Sequence, residues 1–367
     1  MVIRWFGYLV SRILFTSPYH RLTASPHHQQ KMINFAVVGL GHIGKRHAEM
    51  IRRNPGANLV AVCDVLPKDK IDPEIKEDYY NDYDELLKRE DIDVVNICNL
   101  NGFHAEYAIK ALEAKKHVVL EKPIALNKAD AEKIVFKSLE MSRSVFCVMQ
   151  NRYSPPMAWL KELITDKRLG DIYFVKVDAF WNRDERYYQR GSWHGTNKLD
   201  GGTLYTQFSH YVDMLYWLFG DITNIRGKFA NCSHGDLIEF EDTGCVDFDF
   251  INGGMGSLNY STSVWDKNLE SSVTIIGSKG TVKVAGQYMD TVVHCHIQDY
   301  EMPELKEPTH ENDFGGYKGA AQNHGFVIKN VIDTLKTGSS IATNLLEGMK
   351  VVDIIERIYQ ERDRVMR

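Results

Sequence analysis

The sequence predicts an α/β protein in which a doubly wound parallel sheet is followed by an α+β half with a large, mainly antiparallel open sheet. Up to about residue 150, short apolar runs alternate with helical patterns, as in strand–helix–strand units. From Tyr153 onward, strand patterns follow one another directly, with alternating apolar and polar residues and glycine turns. The length of 367 residues suits about two domains.

The composition excludes several classes of protein. Hydrophobic residues make up 44% of the chain and charged residues 25%, which is typical of globular domains and excludes a collagen-like or disordered protein. The net charge of −5 gives no overall attraction to nucleic acid or anionic lipid. No apolar run of about 18 residues occurs, so no membrane span is expected. The six cysteines include no C-x-x-C pair, which favours reduced thiols in a cytoplasmic protein and no metal site.

Residues 1–31 form a basic extension ahead of the first predicted strand. They contain four Lys or Arg residues and no acidic residue. Arg12 interrupts the apolar stretch, so a secretory signal is only weakly supported, and an amphipathic helix on a membrane surface is a second option. We expect this extension to be poorly ordered, with the globular part beginning at Met32.

The first predicted strand leads directly into a glycine-rich turn. Residues 33–38 are a short apolar run, followed by Gly-Leu-Gly-His-Ile-Gly and then by a helical pattern. In such a unit the first glycine makes the turn, the second lets a pyrophosphate approach, and the third packs the helix on the strand. The helix N-terminus also attracts phosphate. The dinucleotide contacts expected here are Gly39, Gly41, His42, Ile43 and Gly44.

An acidic residue follows the second predicted strand. Asp64 lies 20 residues after the last glycine of the turn, where a carboxylate accepts hydrogen bonds from the hydroxyls of an adenosine ribose. The next residues, Val65 and Leu66, offer no cation for a 2′-phosphate. We therefore expect NAD rather than NADP, although Lys68 and Lys70 lie nearby in the sequence.

The remaining strand–helix units place polar residues at strand ends. Further strands are predicted at 93–98, 117–123 and 144–151, and helices at 84–90, 104–116 and 128–142. In doubly wound sheets, ligands bind beyond the carboxyl ends of the strands. Asn99, Asn101, Glu121 and Lys122 fall at such ends.

The second half is predicted to form an antiparallel sheet that one helix interrupts. This helix covers residues 201–220 and places Thr206 and His210 four residues apart on one face, with Asp213 close by. The predicted strands cover 172–180, 245–252, 254–265, 271–286 and 291–297, and two amphipathic helices cover 324–338 and 344–363.

Together these motifs resemble the Gfo/Idh/MocA oxidoreductases over roughly residues 32–365. The resemblance rests on the glycine-rich turn, on Glu-Lys-Pro at 121–123, and on G-G-x(7)-H-x-x-D at 201–213 ahead of the antiparallel sheet. The stretches CVMQNRY, WHGT and DGGTLYTQFSHYVDMLYW are most similar to the UDP-N-acetylglucosaminuronic acid 3-dehydrogenase branch. The resemblance implies an NAD-dependent enzyme that oxidises the 3-hydroxyl of such a sugar in surface polysaccharide biosynthesis.

The resemblance also implies two catalytic residues. Lys122 matches the family's active-site lysine, and His210 matches its histidine. Many members carry an aspartate four residues before that histidine, where this chain has Thr206, so the Asp–His proton relay is missing. Lys122 is therefore the expected base, with His210 orienting the substrate. Expected substrate contacts are Lys122, Arg152, Trp193, Thr206, Gln207, His210 and Tyr317, and further cofactor contacts are Asn99, Asn101, His104, Glu121, Lys122 and Gln150.

Several alternatives remain open at the level of the sequence. They are a polyol, inositol-type or other sugar dehydrogenase, a redox-neutral NAD-dependent glycosidase, and an NAD(H)-binding regulator without turnover. The expected partners are a sugar or nucleotide sugar and a second copy of the chain, in a homodimer or homotetramer formed through the C-terminal sheet. The expected domains are an NAD-binding Rossmann domain at 32–152, a substrate and oligomerisation domain at 153–340, and a C-terminal helix at 341–367 that packs back on the body.

Overall fold

The computed structural model describes residues 32–72, 74–306, 311–313, 318–321 and 323–366. The expectations about the basic extension at 1–31 and about Tyr317 lie outside these residues. Within the described ranges, no helix is both long and apolar enough to cross a membrane.

The first half contains a six-stranded sheet with the strand order β3-β2-β1-β4-β5-β6. Every neighbouring pair is parallel, and this order is that of a doubly wound sheet, which confirms the predicted fold class. The third strand was missed because it has only three residues, two of them tyrosines half exposed at the sheet edge. The strands are β1 (Ile33–Val38), β2 (Ala57–Cys63), β3 (Asp78–Tyr80), β4 (Val94–Ile97), β5 (His117–Leu120) and β6 (Val145–Cys147).

Helices connect these strands and cover the faces of the sheet. The four residues of β4 and three of the four in β5 are buried, as expected for parallel strands covered on both faces. The helices of this half are α1 (His42–Arg53), α2 (Lys68–Ile71), α3 (Tyr83–Leu87), α4 (His104–Glu113) and α5 (Lys128–Met141).

The second half contains a seven-stranded sheet with the order β13-β12-β11-β7-β10-β9-β8. Five of its six neighbouring pairs are antiparallel, whereas β7 and β10 run parallel. The prediction missed β8 because only one residue of this nine-residue edge strand, Ile222, is buried. The strands are β7 (Ile172–Phe180), β8 (Ile222–Ala230), β9 (Thr243–Phe250), β10 (Met255–Ser261), β11 (Glu270–Gly277), β12 (Gly280–Ala285) and β13 (Thr291–Ile297), and a separate hairpin contains β14 (Glu311–Asp313) and β15 (Lys318–Ala321).

The predicted helix over 201–220 is broken in two, which corrects the prediction. The two parts are α7 (Thr203–Thr206) and α8 (Ser209–Phe219), and the backbone of Phe208 leaves the helical region between them. Thr206 and His210 therefore do not share one continuous helical face. The break places the end of α7 and the first turn of α8 at the same cavity.

The remaining helices join the two halves. α6 (Pro155–Thr165) follows the last strand of the first sheet, and α9 (His324–Thr337) packs beside α1. α10 (Leu345–Val365) packs on β8 and α8 and also contacts α5 of the first half. One apolar cluster runs from Val118 of the first sheet to Val177 of the second, so the halves share a continuous core. The domain boundaries at 152 and 340 stay a prediction.

Candidate active site

A cavity of about 790 Å³ lies at the carboxyl ends of the parallel strands. Its volume is within the range of ligand sites, and the second half of the chain supplies one wall. The sequence-predicted residues that line it are Gly39, Gly41, His42, Ile43, Asp64, Asn99, Asn101, His104, Glu121, Lys122, Gln150, Trp193, Thr206, Gln207 and His210.

The glycine-rich turn has the geometry that a bound pyrophosphate requires. Gly39 has a φ of +84°, and a Cβ there would lie 2.7 Å from the Cα of Asn99. A Cβ on Gly44 would lie 1.8 Å from the carbonyl oxygen of Gly39, so this glycine serves packing and does not line the cavity. A Cβ on Gly41 would meet no heavy atom within 4 Å, so this side of the turn is open. No side chain caps α1, whose first N–H groups suit a phosphate.

Asp64 directly follows β2 and is held beside this turn by two hydrogen bonds. Its Oδ2 accepts a hydrogen bond from the backbone N–H of Leu40 at 2.7 Å, and its Oδ1 accepts one from Leu66 at 3.0 Å. Each carboxylate oxygen has a further lone pair for a ribose hydroxyl. Among the described residues that line the cavity, no arginine lies in the stretch 63–107 around Asp64. A carboxylate without a neighbouring arginine fits the ribose hydroxyls of NAD better than the 2′-phosphate of NADP.

Lys122 projects from the end of β5 toward the broken helix. Its Nζ donates a hydrogen bond to the backbone carbonyl of Thr206 at 2.6 Å. Burial lowers the pKa of Lys122, and the positive charge of Arg183 lowers it further, while Glu121 and Asp200 oppose the shift. A lowered pKa increases the fraction of lysine that is unprotonated and able to accept a proton.

His210 lies in the first turn of α8 and is buried. Its Nε2 lies 3.2 Å from the Nε2 of Gln150, and its Nδ1 has no hydrogen-bond partner among the described residues. Burial lowers the pKa of His210 well below its usual value, and the charge of Lys122 acts in the same direction. The imidazole is therefore neutral, with one ring nitrogen as a donor and the other as an acceptor.

The hydroxyl of Thr206 forms hydrogen bonds within the protein. The Oγ1 accepts a hydrogen bond from Asn101 at 2.7 Å and donates one to the backbone carbonyl of Asp200 at 2.9 Å. Its own carbonyl anchors Lys122, so Thr206 positions the lysine through its backbone. The side chain does not contact His210 in the way that a relay carboxylate would.

Glu121 is held by a histidine that the sequence analysis did not single out. His47 of α1 donates from Nε2 to Glu121 Oε1 at 2.9 Å, and its Nδ1 accepts from Asn96 at 2.8 Å. Burial opposes the charge of Glu121, but the hydrogen bond from His47 and the nearby His324 lower the pKa of Glu121 to about 2. The atoms of His47, Glu121 and His324 that could bind a metal ion lie within 4.8 Å of one another. The hydrogen bond from His47 Nε2 accounts for the closeness of His47 and Glu121, whereas His324 Nε2 lies 3.7 Å from Glu121 Oε1 without a hydrogen bond.

A second group that the sequence analysis missed follows β7. Trp181, Arg183 and Tyr187 line the cavity beside Gln207. Gln207 Oε1 accepts from Arg183 Nε at 2.8 Å, and Gln207 Nε2 donates to the Tyr187 hydroxyl at 2.7 Å. The polar stretch after β7 resembles an ordinary loop, so only an arginine beside aromatic residues could have drawn attention to it.

Two predicted contacts, Arg152 and His104, have other partners. Arg152 does not line the cavity, because its guanidinium group is bound to Asp213 at 2.5 and 2.8 Å and to Glu347 at 2.6 Å. This buried ion pair corrects the expected substrate role of Arg152. His104 does line the cavity, and its Nδ1 lies 2.6 Å from the Pro123 carbonyl while its Nε2 lies 3.0 Å from the Asn99 carbonyl, so the ring is placed between these two loops.

Comparisons with known proteins show the family of the chain. A Gfo/Idh/MocA model described as "Oxidoreductase family, NAD-binding Rossmann fold" matches residues 33–148, and the Gfo/Idh/MocA C-terminal domain model matches residues 157–283. The WlbA dehydrogenase from Bordetella pertussis, solved with NADH and UDP-GlcNAcA, is 30% identical with a TM-score of 0.81, covering 91% of this chain and 97% of that one.

Two curated relatives act on other sugars or polyols. The 2,7-anhydro-N-acetylneuraminate hydratase of Escherichia coli is 28% identical over 295 residues, which is 78% of this chain and 76% of the hydratase. The myo-inositol 2-dehydrogenase of Thermotoga maritima is 28% identical over 280 residues, which is 71% of this chain and 78% of the dehydrogenase.

Proposed function

The chain belongs to the Gfo/Idh/MocA family and is an NAD-dependent sugar oxidoreductase, and from this premise we propose that it oxidises C3 of a UDP-linked N-acetylated uronic acid. The observation that carries the proposal is the similarity over almost the whole chain to an enzyme crystallised with NADH and UDP-GlcNAcA. This reaction would serve surface polysaccharide biosynthesis.

The residues of the first half would hold the cofactor. The open side of Gly41 and the N-terminus of α1 would bind the pyrophosphate, and Asp64 would bind the adenosine ribose. Bound NAD supplies the acceptor for the hydride that leaves the sugar carbon.

Lys122 is the proposed base. In its unprotonated form the amine accepts the proton of the sugar hydroxyl as the hydride leaves the same carbon. The Thr206 carbonyl fixes the position of Nζ, and burial lowers the pKa of Lys122, which increases the unprotonated fraction of the amine. His210, which is neutral and lines the cavity, would orient the sugar.

A panel of substrates tests the proposal. The enzyme and NAD are mixed separately with UDP-N-acetylglucosaminuronic acid, UDP-N-acetylglucosamine, myo-inositol and 2,7-anhydro-N-acetylneuraminate. NADH formation is followed by absorbance and product mass by mass spectrometry. We expect stoichiometric NADH and a product two mass units lighter from the UDP-uronic acid. NADH from inositol alone would overturn the proposal.

A redox-neutral reaction is the second candidate, because the hydratase relative shares the fold at 28% identity. In that case the anhydro sugar would be converted to a product 18 mass units heavier without net NADH, since hydration adds water. The same panel separates the two reactions, because only the dehydrogenase leaves NADH in solution.

A further inference from the structure

The acceptor of the Lys122 ammonium group belongs to a very short helix. α7 has four residues, and the carbonyl of its last residue, Thr206, accepts the hydrogen bond from Lys122 Nζ at 2.6 Å. A single turn has few internal hydrogen bonds to hold it in place, and its N-cap residue, Gly202, has no side chain that could cap it. The position of this carbonyl therefore depends on contacts from other elements.

A tyrosine of the C-terminal helix α10 supplies the missing cap. The hydroxyl oxygen of Tyr359 accepts a hydrogen bond at 2.8 Å from the backbone N–H of Leu204, in the first turn of α7. Such an N–H has no acceptor within its own helix. Gly202 makes room for the hydroxyl group, because its φ is +130° and a Cβ there would lie 2.4 Å from Tyr359 Oη. Thr203 Oγ1 donates a second hydrogen bond, to the Glu241 carbonyl at 2.5 Å.

Tyr359 is itself held in a buried polar cluster. The residue is 6% exposed, and the guanidinium group of Arg362 lies 3.9 Å from the centre of its ring. Arg362 Nη1 donates to Glu241 Oε2 at 2.7 Å, and the Tyr260 hydroxyl donates to Glu241 Oε1 at 2.9 Å. These contacts limit the positions that the Tyr359 hydroxyl can take against α7.

The same face of α10 also contacts the segment that follows Lys122. Glu356 lies one helical turn before Tyr359, and its Oε2 accepts a hydrogen bond from the backbone N–H of Lys128 at 2.6 Å. Lys128 begins α5, shortly after Lys122 in the chain. Because residues three apart in a helix are neighbours on its surface, one face of α10 contacts both the donor side and the acceptor side of the Lys122 hydrogen bond.

We propose that Tyr359 is a positioning residue for the reaction, which holds the Thr206 carbonyl, and with it the amine of Lys122, through the backbone of α7. The proposal rests on the proposed function, in which Lys122 is the base. Tyr359 is not among the described residues that line the cavity, so it acts through α7 and not on the substrate. A carbonyl acceptor favours the charged form of an amine, so a displaced Thr206 carbonyl should lower the pKa of Lys122 further.

Tyr359→Phe tests the proposal, because it removes the acceptor of the Leu204 N–H and keeps the ring. kcat and KM for UDP-N-acetylglucosaminuronic acid are measured with saturating NAD as a function of pH. We expect kcat to fall about tenfold with little change in KM, since a displaced base slows the chemical step. The inflection of kcat should move to lower pH by about half a unit or more.

Tyr300→Phe is the matched control. Tyr300 Oη accepts a hydrogen bond from Trp159 Nε1 of α6, also at 2.8 Å, and neither residue is among the described residues that line the cavity. This variant therefore loses the same kind of hydrogen bond away from the site. It should keep the kcat and the pH profile of wild type.

The pH profile reports the carbonyl acceptor because the charged neighbours of Lys122 are the same in all variants. The charged and titratable groups that act on Lys122, or on which Lys122 acts, are Glu121, Asp200, Arg183, His104, His210 and His324. Both tyrosine substitutions leave these side chains in place.

A second measurement needs no substrate. The rate of acetylation of Lys122 by acetic anhydride, followed by mass spectrometry across a range of pH, gives the titration midpoint of its amine. We expect a lower midpoint in Tyr359→Phe than in wild type and in Tyr300→Phe. An unchanged midpoint overturns the inference even if kcat falls, because the loss of activity then reports only a weakened fold.

Two further outcomes are decided by the same measurement. If Tyr359→Phe does not fold, Thr203→Val, which removes the other hydrogen bond that holds α7, should lower the midpoint in the same direction, and an unchanged midpoint overturns the inference. If wild type does not oxidise the UDP-uronic acid, the proposed function fails, while acetylation still decides whether Tyr359 positions Lys122.

Discussion

The ammonium group of Lys122 is anchored by a backbone carbonyl. Because the acceptor is the main chain of Thr206, the side chain at this position need not be acidic to place the lysine. The Thr206 hydroxyl instead ties Asn101 to the carbonyl of Asp200. The chain thus keeps the geometry around its base without a carboxylate beside His210.

Replacing Lys122 tests its role as base. We expect Lys122→Met to lower kcat on the UDP-uronic acid by about 10²–10⁴-fold, because the variant retains length but cannot accept a proton. NAD affinity should change little. His210→Asn should cost less, since the imidazole orients the substrate and does not take the proton. Steady-state kinetics and calorimetric titration with NAD give both quantities.

A different ranking would contradict this division of roles. If His210→Asn is as inactive as Lys122→Met, and if Thr206→Asp is faster than wild type, then a histidine relay operates. Lys122 would then not be the principal base.

The pH dependence follows from the same lysine. Its pKa is lowered from the ordinary 10.5, and only the unprotonated amine is active as a base, so kcat/KM for sugar oxidation should rise with pH and level off above the lowered pKa. His210 is already neutral above pH 6.5, so it should add no inflection there. A pH–rate profile measures this. An inflection at or above 10.5 would contradict the prediction.

At the scale of elements, Arg152 holds three parts of the fold together. It lies in the short 3-10 turn Gln150–Tyr153, and its carboxylate partners Asp213 and Glu347 lie in α8 and α10. Gln150 of the same turn contacts His210. This buried ion pair therefore holds the turn that places Gln150 beside His210.

Removing Arg152 should destabilise the protein strongly. We expect Arg152→Met to lower the free energy of unfolding by about 3–5 kcal/mol, because Asp213 remains buried with its charge uncompensated. Arg53→Met is the matched control: its partner Glu49 is on the same exposed helix face, and its loss should cost at most about 1 kcal/mol. Denaturant unfolding measures both. Equal losses in the two variants would show that the buried pair adds nothing specific.

At the scale of the whole molecule, the cavity forms where the two halves meet. The parallel sheet supplies the glycine turn, Asp64 and Lys122, and the second half supplies the wall with His210 and Arg183. The seven-stranded sheet packs one face into the shared core and leaves the other face outside. Phe174 is paired with both Met255 and Ile276, so these three apolar side chains are adjacent on the outer face.

This outer face is where we expect copies of the chain to associate. Light scattering at micromolar concentration should give the mass of a dimer or tetramer. Ile276→Asp should lower that mass by placing a charge in the apolar patch. Trp265→Asp is the control, because Trp265 is exposed after β10 and outside the paired strands. A wild-type monomer would contradict the expectation.

Local patterns in the sequence were sufficient to predict much of the fold. The parallel strands other than β3, the glycine turn and the following Asp64 were all predicted, and the fold class, family and NAD were confirmed. These features can be predicted from the sequence because strand periodicity and turn chemistry depend on residues that are neighbours in the chain. The same holds for Glu-Lys-Pro at a strand end.

Tertiary structure alone decided which distant residues meet. Periodicity predicted one helix through Gln207, but the backbone leaves the helical region at Phe208 and divides it into α7 and α8. Arg152 is a plausible ligand residue from its neighbours, yet its partners lie 61 and 195 residues away. The polar sequence around Arg183 predicts an ordinary loop, and only the fold places Arg183 in the cavity wall. A buried charge takes its role from the groups that pack around it, and those groups are set by the fold, not by sequence proximity.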